Sequence, residues 1–98
     1  MSAIFGPAGN AESFPDKSSV DAPRWLAELG LDCYEYQCGK GVNVREETAR
    51  NIGAAAVAAG IRLSLHAPYF INLANPDPES LQKTIGYITA ACQAADWM

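Results

Sequence analysis

A glycine between apolar residues occurs at Gly30 and again at Gly60, 30 positions later. Glycine is the residue that most often ends a helix, and each of these glycines is followed by an apolar stretch of strand length. A period of about 30 residues is typical of one strand, loop and helix unit. The chain is therefore predicted to be a series of such βα units.

Three units fit the whole sequence. The predicted strands are residues 3–5, 31–38 and 61–65. The predicted helices run from Ser18 or Ser19 to about Leu29, from about residue 44 to residue 59, and from Pro78 towards the end of the chain. Pro23 restricts where the first helix can begin, because proline is tolerated only in the first helical turn.

Caps and apolar periodicity support the second and third helices. Asn43 followed by Glu46 resembles a capping box, and Asp77 before Pro78 is a typical helix start. The second helix is expected to bury small residues, which allow close approach to a sheet: Ala49, Ile52, Gly53, Ala56 and Val57. Apolar residues of the third helix recur at steps of four and three, a strong helical signal: Leu81, Ile85, Ile88, Cys92 and Ala95.

Three parallel strands cannot form a closed sheet by themselves. They leave unpaired edges and apolar faces that nothing covers. A (β/α)8 TIM barrel needs about 250 residues. We therefore expect an α/β fold in which residues 1–98 are the N-terminal part of a single TIM-barrel domain, its first three βα units.

Composition excludes several classes of protein. The net charge of 7 − 11 = −4 does not support a broad phosphate-binding surface, although a local site is compatible with it. No segment has the length and apolarity of a membrane span, and the first residues lack the pattern of a signal peptide. Three cysteines without CxxC spacing predict reduced thiols, no zinc site made of cysteines, and a cytoplasmic protein.

The most informative stretch follows the third predicted strand. His66, the single histidine of the chain, comes at the end of an apolar run and is followed by Pro68, which a central strand cannot contain. His66 is thus predicted at a strand end, where parallel α/β proteins place their sites. It is either a metal ligand or an ordinary histidine, and Tyr69 and Phe70 contact a ligand or pack against helices.

Two polar side chains alternate with aromatic ones in the second strand. Glu35 and Gln37 must share one side of the sheet, because successive side chains of a strand point to opposite faces. In a barrel they would face its interior or mouth. In the alternative, they are exposed to solvent at the strand end.

Three stretches resemble endonuclease IV, the apurinic/apyrimidinic endonuclease family 2 within the xylose-isomerase-like TIM barrels. They are FGPAGN at residues 5–10, YEYQC at 34–38 and SLHAPYFINLA at 64–74. The third is the most specific. The resemblance implies a zinc-dependent enzyme, with up to three zinc ions in the full-length protein, that hydrolyses the phosphodiester bond 5′ to abasic sites in base excision repair.

The resemblance also implies roles for individual residues. His66 matches a zinc-binding histidine, and Tyr69 and Phe70 match a loop whose side chains wedge into double-stranded DNA at the lesion. The remaining ligands would lie beyond residue 98, so these residues alone are expected to be inactive, and the complete protein is expected to be a monomer.

The first loop departs from the better-known enzymes of the family. Many of them carry a histidine where this chain has residues 5–8, FGPA. Other readings therefore stay open: a sugar isomerase or epimerase-like metal enzyme on the same barrel, or a non-catalytic binding or structural fragment.

Overall fold

The computed structural model describes residues 2–15 and 18–98, and it contains three helices and two strands. In chain order they are α1 (Ala22–Glu28), β1 (Cys33–Gln37), α2 (Glu46–Ala59), β2 (Arg62–His66) and α3 (Pro78–Trp97). The two strands are parallel neighbours, and their register pairs Cys33 with Arg62 and Gln37 with His66. The alternation of helices with parallel strands agrees with the predicted α/β class. The last strand begins and ends one residue later than expected.

The predicted strand at residues 3–5 is wrong as an assigned strand, although the chain is extended just beyond it. The Phe5 carbonyl accepts a hydrogen bond from the Asp32 N–H at 2.8 Å, and the Gly9 N–H donates to the Glu35 carbonyl at 2.8 Å. One isolated parallel bridge joins Ala8 to Glu35. Residues 5–9, the N-terminal segment, thus continue the sheet on the side of β1 away from β2, with too few bridges to be a strand.

Gly6 explains how the N-terminal segment comes so close to β1. A Cβ atom at this position would fall on the carbonyl oxygen of Cys33. Only glycine permits this approach without moving one of the two backbones.

The two glycines of the sequence repeat end α1 and α2 in the same way. Both have a left-handed backbone, with φ of 80° at Gly30 and 69° at Gly60. At each end, the N–H of the residue after the glycine donates to a carbonyl five positions earlier: Leu31 to Leu26 at 3.0 Å, and Ile61 to Ala56 at 2.9 Å. These paired bonds form a Schellman motif, so the predicted helix ends are confirmed.

The predicted side-chain caps of α1 and α2 are wrong, and the two helices begin a few residues later than expected. Asp21 precedes α1, and its side chain makes no capping bond. The capping box of Asn43 and Glu46 does not form, since Glu46 is the first residue of α2 and extended Arg45 precedes it without a side-chain cap. Glu46 instead accepts hydrogen bonds from Arg50, one turn later, at 2.8 and 3.0 Å.

The start of α3 is confirmed. The Asp77 carboxylate accepts hydrogen bonds from the Ser80 N–H at 3.1 Å and the Ser80 hydroxyl at 2.7 Å, and Pro78 lies in the first turn. These bonds lower the pKa of Asp77, and the one from the Ser80 side chain contributes most. The 20 residues of α3 are not apolar enough to cross a membrane, and no other helix in the described part of the chain is either.

Burial differs from the predicted helix faces at particular residues. Ala49, Ile52, Gly53 and Ala56 of α2 are buried as expected, whereas Val57 is 83% exposed. The apolar periodicity correctly predicted a helix in α3, but the buried residues of this helix are Thr84, Ala91 and Ala94, which lie beside the apolar stripe. Ile85 and Cys92, two members of that stripe, are exposed.

One core lies between the helices and one face of the sheet. Its buried residues come from the loop before α1, from α1, β1 and α2, and from the segment between α2 and β2: Phe14, Ala22, Leu26, Tyr34, Ala56 and Ile61. Tyr36 and Leu63 pack against it, as does Trp25, whose ring centre is 5.0 Å from that of Phe14. The alternate residues of both strands therefore face away from the helices.

Candidate functional site

Polar residues occupy the face of the sheet that the helices do not cover. Glu35 and Gln37 of β1 lie beside Ser64 and His66 of β2, as register partners on adjacent strands. The two carboxylate oxygens of Glu35 accept different hydrogen bonds, one from the Ser64 hydroxyl at 2.9 Å and one from the Gln37 amide nitrogen at 3.0 Å. We call these four residues the polar face.

His66 is the last residue of β2 and is exposed on the polar face. Its Nδ1 is 2.6 Å from the carbonyl oxygen of Ala67. A carbonyl can only accept a hydrogen bond, so Nδ1 must carry the proton and donate it. In the neutral ring, Nε2 then keeps its lone pair, and a backbone partner of this kind is typical of metal-binding histidines.

The loops that follow β1 and β2 are joined by backbone hydrogen bonds beyond the assigned strands. The Cys38 N–H donates to the His66 carbonyl at 2.9 Å, and the Tyr69 N–H donates to the Gly39 carbonyl at 3.4 Å. Lys40 follows Gly39 and is exposed. The second of these bonds thus brings the loop that carries Lys40 against the loop that carries Tyr69.

Three exposed aromatic rings touch one another next to this end of the sheet. Tyr69 is 75% exposed, and its ring meets Phe70 edge-on with centres 5.6 Å apart. Phe70 in turn meets Tyr87 of α3 edge-on at 4.8 Å. Phe70 therefore packs against a helix, the alternative left open by the sequence, while Tyr69 projects into solvent.

The rest of this loop is held by its own side chains. The Asn72 side chain accepts a hydrogen bond from the Ala74 N–H at 3.1 Å and so fixes this part of the loop. The Asn75 side chain does the same for the Asp77 N–H at 3.0 Å and so links the loop to the start of α3.

The residues that the structure describes do not form a metal site by themselves. Zinc sites use three or four protein ligands, and no group of three or more His, Cys, Asp or Glu residues within 2–15 and 18–98 is close enough to hold a metal ion. The free Nε2 of His66 fits one ligand position. The set is incomplete, so a zinc centre here needs ligands from outside the described residues.

Cys38 is poorly suited to supply one. It is 2% exposed, and burial raises the pKa of its thiol. A metal binds the thiolate, so a thiol kept protonated at neutral pH is a weak ligand. Its contribution is to packing at the end of β1.

A second polar group, which the sequence did not indicate, fixes the N-terminal loop. The buried hydroxyl of Tyr34 lies 2.6 Å from the Asn10 side-chain oxygen and 3.2 Å from the Ser19 hydroxyl. Burial raises the pKa of this phenol, and the hydrogen bond to Ser19 partly offsets the rise. These residues, with Gly9, Tyr36 and Gln37, line an open cleft of about 200 Å³.

Two further residues near the site were missed from the sequence. Ser64 could have been found, because it lies two positions before His66 and so shares its face of the strand. Tyr87 gives no such signal, since it lies 17 positions after Phe70 and only the packing of α3 brings the two rings together.

Comparison with known proteins identifies one family. The family described as xylose isomerase-like TIM barrel matches residues 23–98, which include all the helices and strands from the second residue of α1 onward. No curated protein matches the chain.

Proposed function

The chain belongs to the xylose isomerase-like TIM barrel family, and we propose that it forms part of the site of a zinc-dependent endonuclease that cleaves DNA 5′ to abasic sites. Its α/β fold, with parallel strands and helices on one side, is that of a partial TIM barrel. The family contains metal-dependent enzymes and includes both apurinic/apyrimidinic endonucleases and sugar isomerases. The choice between these two activities rests on the site.

The observation that carries the proposal is the arrangement around His66. Its Nε2 is left free at the carboxyl end of β2, and the exposed Tyr69 follows three residues later in the loop. A candidate metal ligand and a candidate DNA-contacting side chain thus lie on one short segment. The carboxyl ends of the strands are where TIM-barrel enzymes carry their sites.

The chemistry of phosphodiester hydrolysis gives each of these residues a task. Zinc, when bound, supplies positive charge that holds a phosphate and lowers the pKa of a bound water. His66 would contribute one neutral nitrogen ligand, kept in the correct tautomer by the Ala67 carbonyl. The backbone bonds from β1 to the His66 and Tyr69 segment would hold this ligand in place.

Tyr69 and Phe70 would contact the lesion. An abasic site lacks a base, so an aromatic side chain can occupy the gap and replace part of the lost stacking. Tyr69 is free to do so, and Phe70 supports it from the side of α3 through its contact with Tyr87. Because the chain carries a net charge of −4, binding would depend on the lesion more than on the DNA backbone.

A sugar isomerase or epimerase-like activity is the second candidate. The polar face favours it, because the Glu35 carboxylate and the Gln37 amide are groups that bind sugar hydroxyls. The acidic charge also suits a neutral sugar better than a polyanion. Both candidates use His66 as a metal ligand. They differ in the neighbouring residues that contact the substrate: Tyr69 for DNA, and Glu35 and Gln37 for a sugar.

Nuclear magnetic resonance of the single histidine tests the metal ligand directly. In the free protein, the ¹⁵N shifts of His66 should identify the Nδ1–H tautomer, and zinc should then shift the Nε2 resonance. Gln82→Ala, an exposed change on α3, should leave this shift unchanged. A ring that zinc does not perturb, or that coordinates through Nδ1, would contradict the role of His66.

Fluorescence anisotropy with labelled duplexes tests the DNA partner. A zinc-loaded protein that contains these residues together with the remaining zinc ligands should bind a duplex containing an abasic site more tightly than the intact duplex. Tyr69→Ala should lower that preference by about 5- to 100-fold, the effect of one lost stacking contact. Equal affinity for both duplexes would contradict the endonuclease proposal. Saturable binding of a free sugar instead would support the second candidate.

A further inference from the structure

The hydrogen bonds of Glu35 determine which way the Gln37 amide points. An ionised carboxylate has only acceptors, so the group of Gln37 that faces it must be the NH₂. The Gln37 amide nitrogen is indeed the atom within 3.0 Å of Glu35, and the Ser64 hydroxyl engages the other carboxylate oxygen at 2.9 Å. The amide carbonyl oxygen of Gln37 therefore points away from Glu35.

That oxygen is available to a ligand. Gln37 is exposed, and it is the register partner of His66 on the neighbouring strand. Adjacent strands lie about 4.8 Å apart, and the two side chains share one face of the sheet. A molecule bound to a metal ion on Nε2 of His66 would thus lie beside a fixed hydrogen-bond acceptor, and a fixed acceptor selects for a donor on the ligand.

We propose that Gln37 recognises a sugar hydroxyl of the molecule bound at His66, and that Glu35 and Ser64 are positioning residues that hold its amide in this orientation. The inference rests on the proposed function and deepens it. In an abasic site, the C1′ hydroxyl of the ring-closed deoxyribose is the donor that an intact nucleotide lacks. A free sugar presents the same chemistry, so the two sources must be separated by experiment.

Two lesions that differ in one hydroxyl provide the test. A duplex with a natural abasic site carries the C1′ hydroxyl, and the tetrahydrofuran analogue lacks it. A zinc-loaded protein that contains these residues together with the remaining zinc ligands should bind the natural site about 2- to 10-fold more tightly than the analogue, the effect of one hydrogen bond. Gln37→Met keeps the length of the side chain and removes the amide, and it should bring this ratio to about one.

Glu35→Gln tests the positioning role with the same ratio. An amide at position 35 can pair with either end of the Gln37 amide, so the orientation of Gln37 is no longer determined. The ratio should fall towards one, while the affinity for the analogue and the melting temperature stay as in the unmodified chain. A purely structural role for Glu35 would lower the melting temperature without changing the ratio.

The outcomes separate this inference from the proposed function. In one outcome, Gln37→Met still binds the lesion more tightly than intact DNA and still prefers the natural site to the analogue by the same ratio. This result overturns the role of Gln37 and leaves the endonuclease proposal standing. Binding of D-xylose that Gln37→Met weakens, without any lesion preference, supports the hydroxyl recognition and moves it to the second candidate. No binding of either lesion or sugar overturns both.

Discussion

The two faces of the β1 and β2 sheet differ in what they contribute. The face towards the helices presents Tyr34, Tyr36 and Leu63 to the core, and Tyr34 is 2% exposed. The opposite, polar face is mostly exposed, and three of its side chains are joined by the hydrogen bonds that Glu35 accepts: Glu35, Gln37 and Ser64. Burial of apolar area is the main source of stability. The comparison therefore assigns stability to one face and leaves the other available for binding.

Tyr34 tests the stabilising face most severely. Tyr34→Ala should lower the free energy of unfolding by about 3–5 kcal/mol, the usual cost of deleting a buried aromatic ring. The milder Tyr34→Phe, which keeps the ring and loses the bonds to Asn10 and Ser19, should cost about 0.5–1.5 kcal/mol. Urea denaturation followed by circular dichroism measures both.

Gln37→Ala is the matched control on the polar face, with an expected change within about 0.5 kcal/mol. The comparison between faces fails if this substitution costs as much as Tyr34→Ala. If Tyr34→Ala does not fold at all, the loss of stability in Tyr34→Phe can still be compared with that in Gln37→Ala.

Gly6 tests whether the N-terminal segment is a true part of the sheet. Gly6→Ala places a Cβ on the Cys33 carbonyl and should destabilise the chain by about 1–3 kcal/mol, as overpacking does. Gly86→Ala is the control, because nothing lies near its Cβ position within α3 and alanine favours a helix by about 1 kcal/mol. Urea denaturation measures both variants. Equal changes in the free energy of unfolding at the two positions would show that the N-terminal segment does not pack against β1.

Alkaline pH should act on the helix-facing side alone. Burial is the largest cause that raises the pKa of Tyr34, and it is also the largest cause of the raised pKa of Tyr36. A group whose pKa is higher in the folded state stabilises fully below its unfolded value, here about 10, and this contribution is lost as the pH rises through the folded value.

The same reasoning applies to the buried Cys38, whose ordinary pKa is lower. Stability should therefore begin to fall as the pH rises above about 9 and fall further above about 10, and Tyr34→Phe should make this second part of the fall shallower. Denaturation midpoints at a series of pH values measure this, with tyrosinate absorbance to follow ionisation. An equally steep fall in the Phe variant would show that Tyr34 does not contribute.

Ser64 gives the smallest expected effect. Ser64→Ala removes one hydrogen bond to Glu35 on an exposed surface, so unfolding should change by about 0.5 kcal/mol or less. Thermal melting checks it. A loss above about 1 kcal/mol would mean that the polar face also stabilises the fold, and the contrast between the faces would have to be given up.

Local signals were the most reliable part of the sequence. The repeated glycines predicted two helix ends because a left-handed residue after a helix is a property of a few neighbouring residues. The same holds for Asp77, whose cap involves only the next turn. His66 at a strand end also followed from local order, and its metal role stays a prediction.

Predictions that depended on distant partners were less accurate. The extended state of residues 5–9 depends on β1, and Val57 is exposed because no element in the described structure lies across from it. Asn43 and Glu46 had capping chemistry, but the chain stays extended to Arg45, which places Glu46 inside α2. The contact of Phe70 with Tyr87 likewise exists only through the packing of α3.

The hydrogen bonds that join the loops after β1 and β2 have a consequence for protein engineering. Cys38 is tied to His66, and Gly39 to Tyr69, so the two loops share their first anchoring points. An insertion between residues 39 and 45 would move the Tyr69 backbone as well as its own loop. Loop grafting onto this scaffold should therefore exchange both loops together. A graft of one loop alone would not match the backbone hydrogen bonds that the other loop makes.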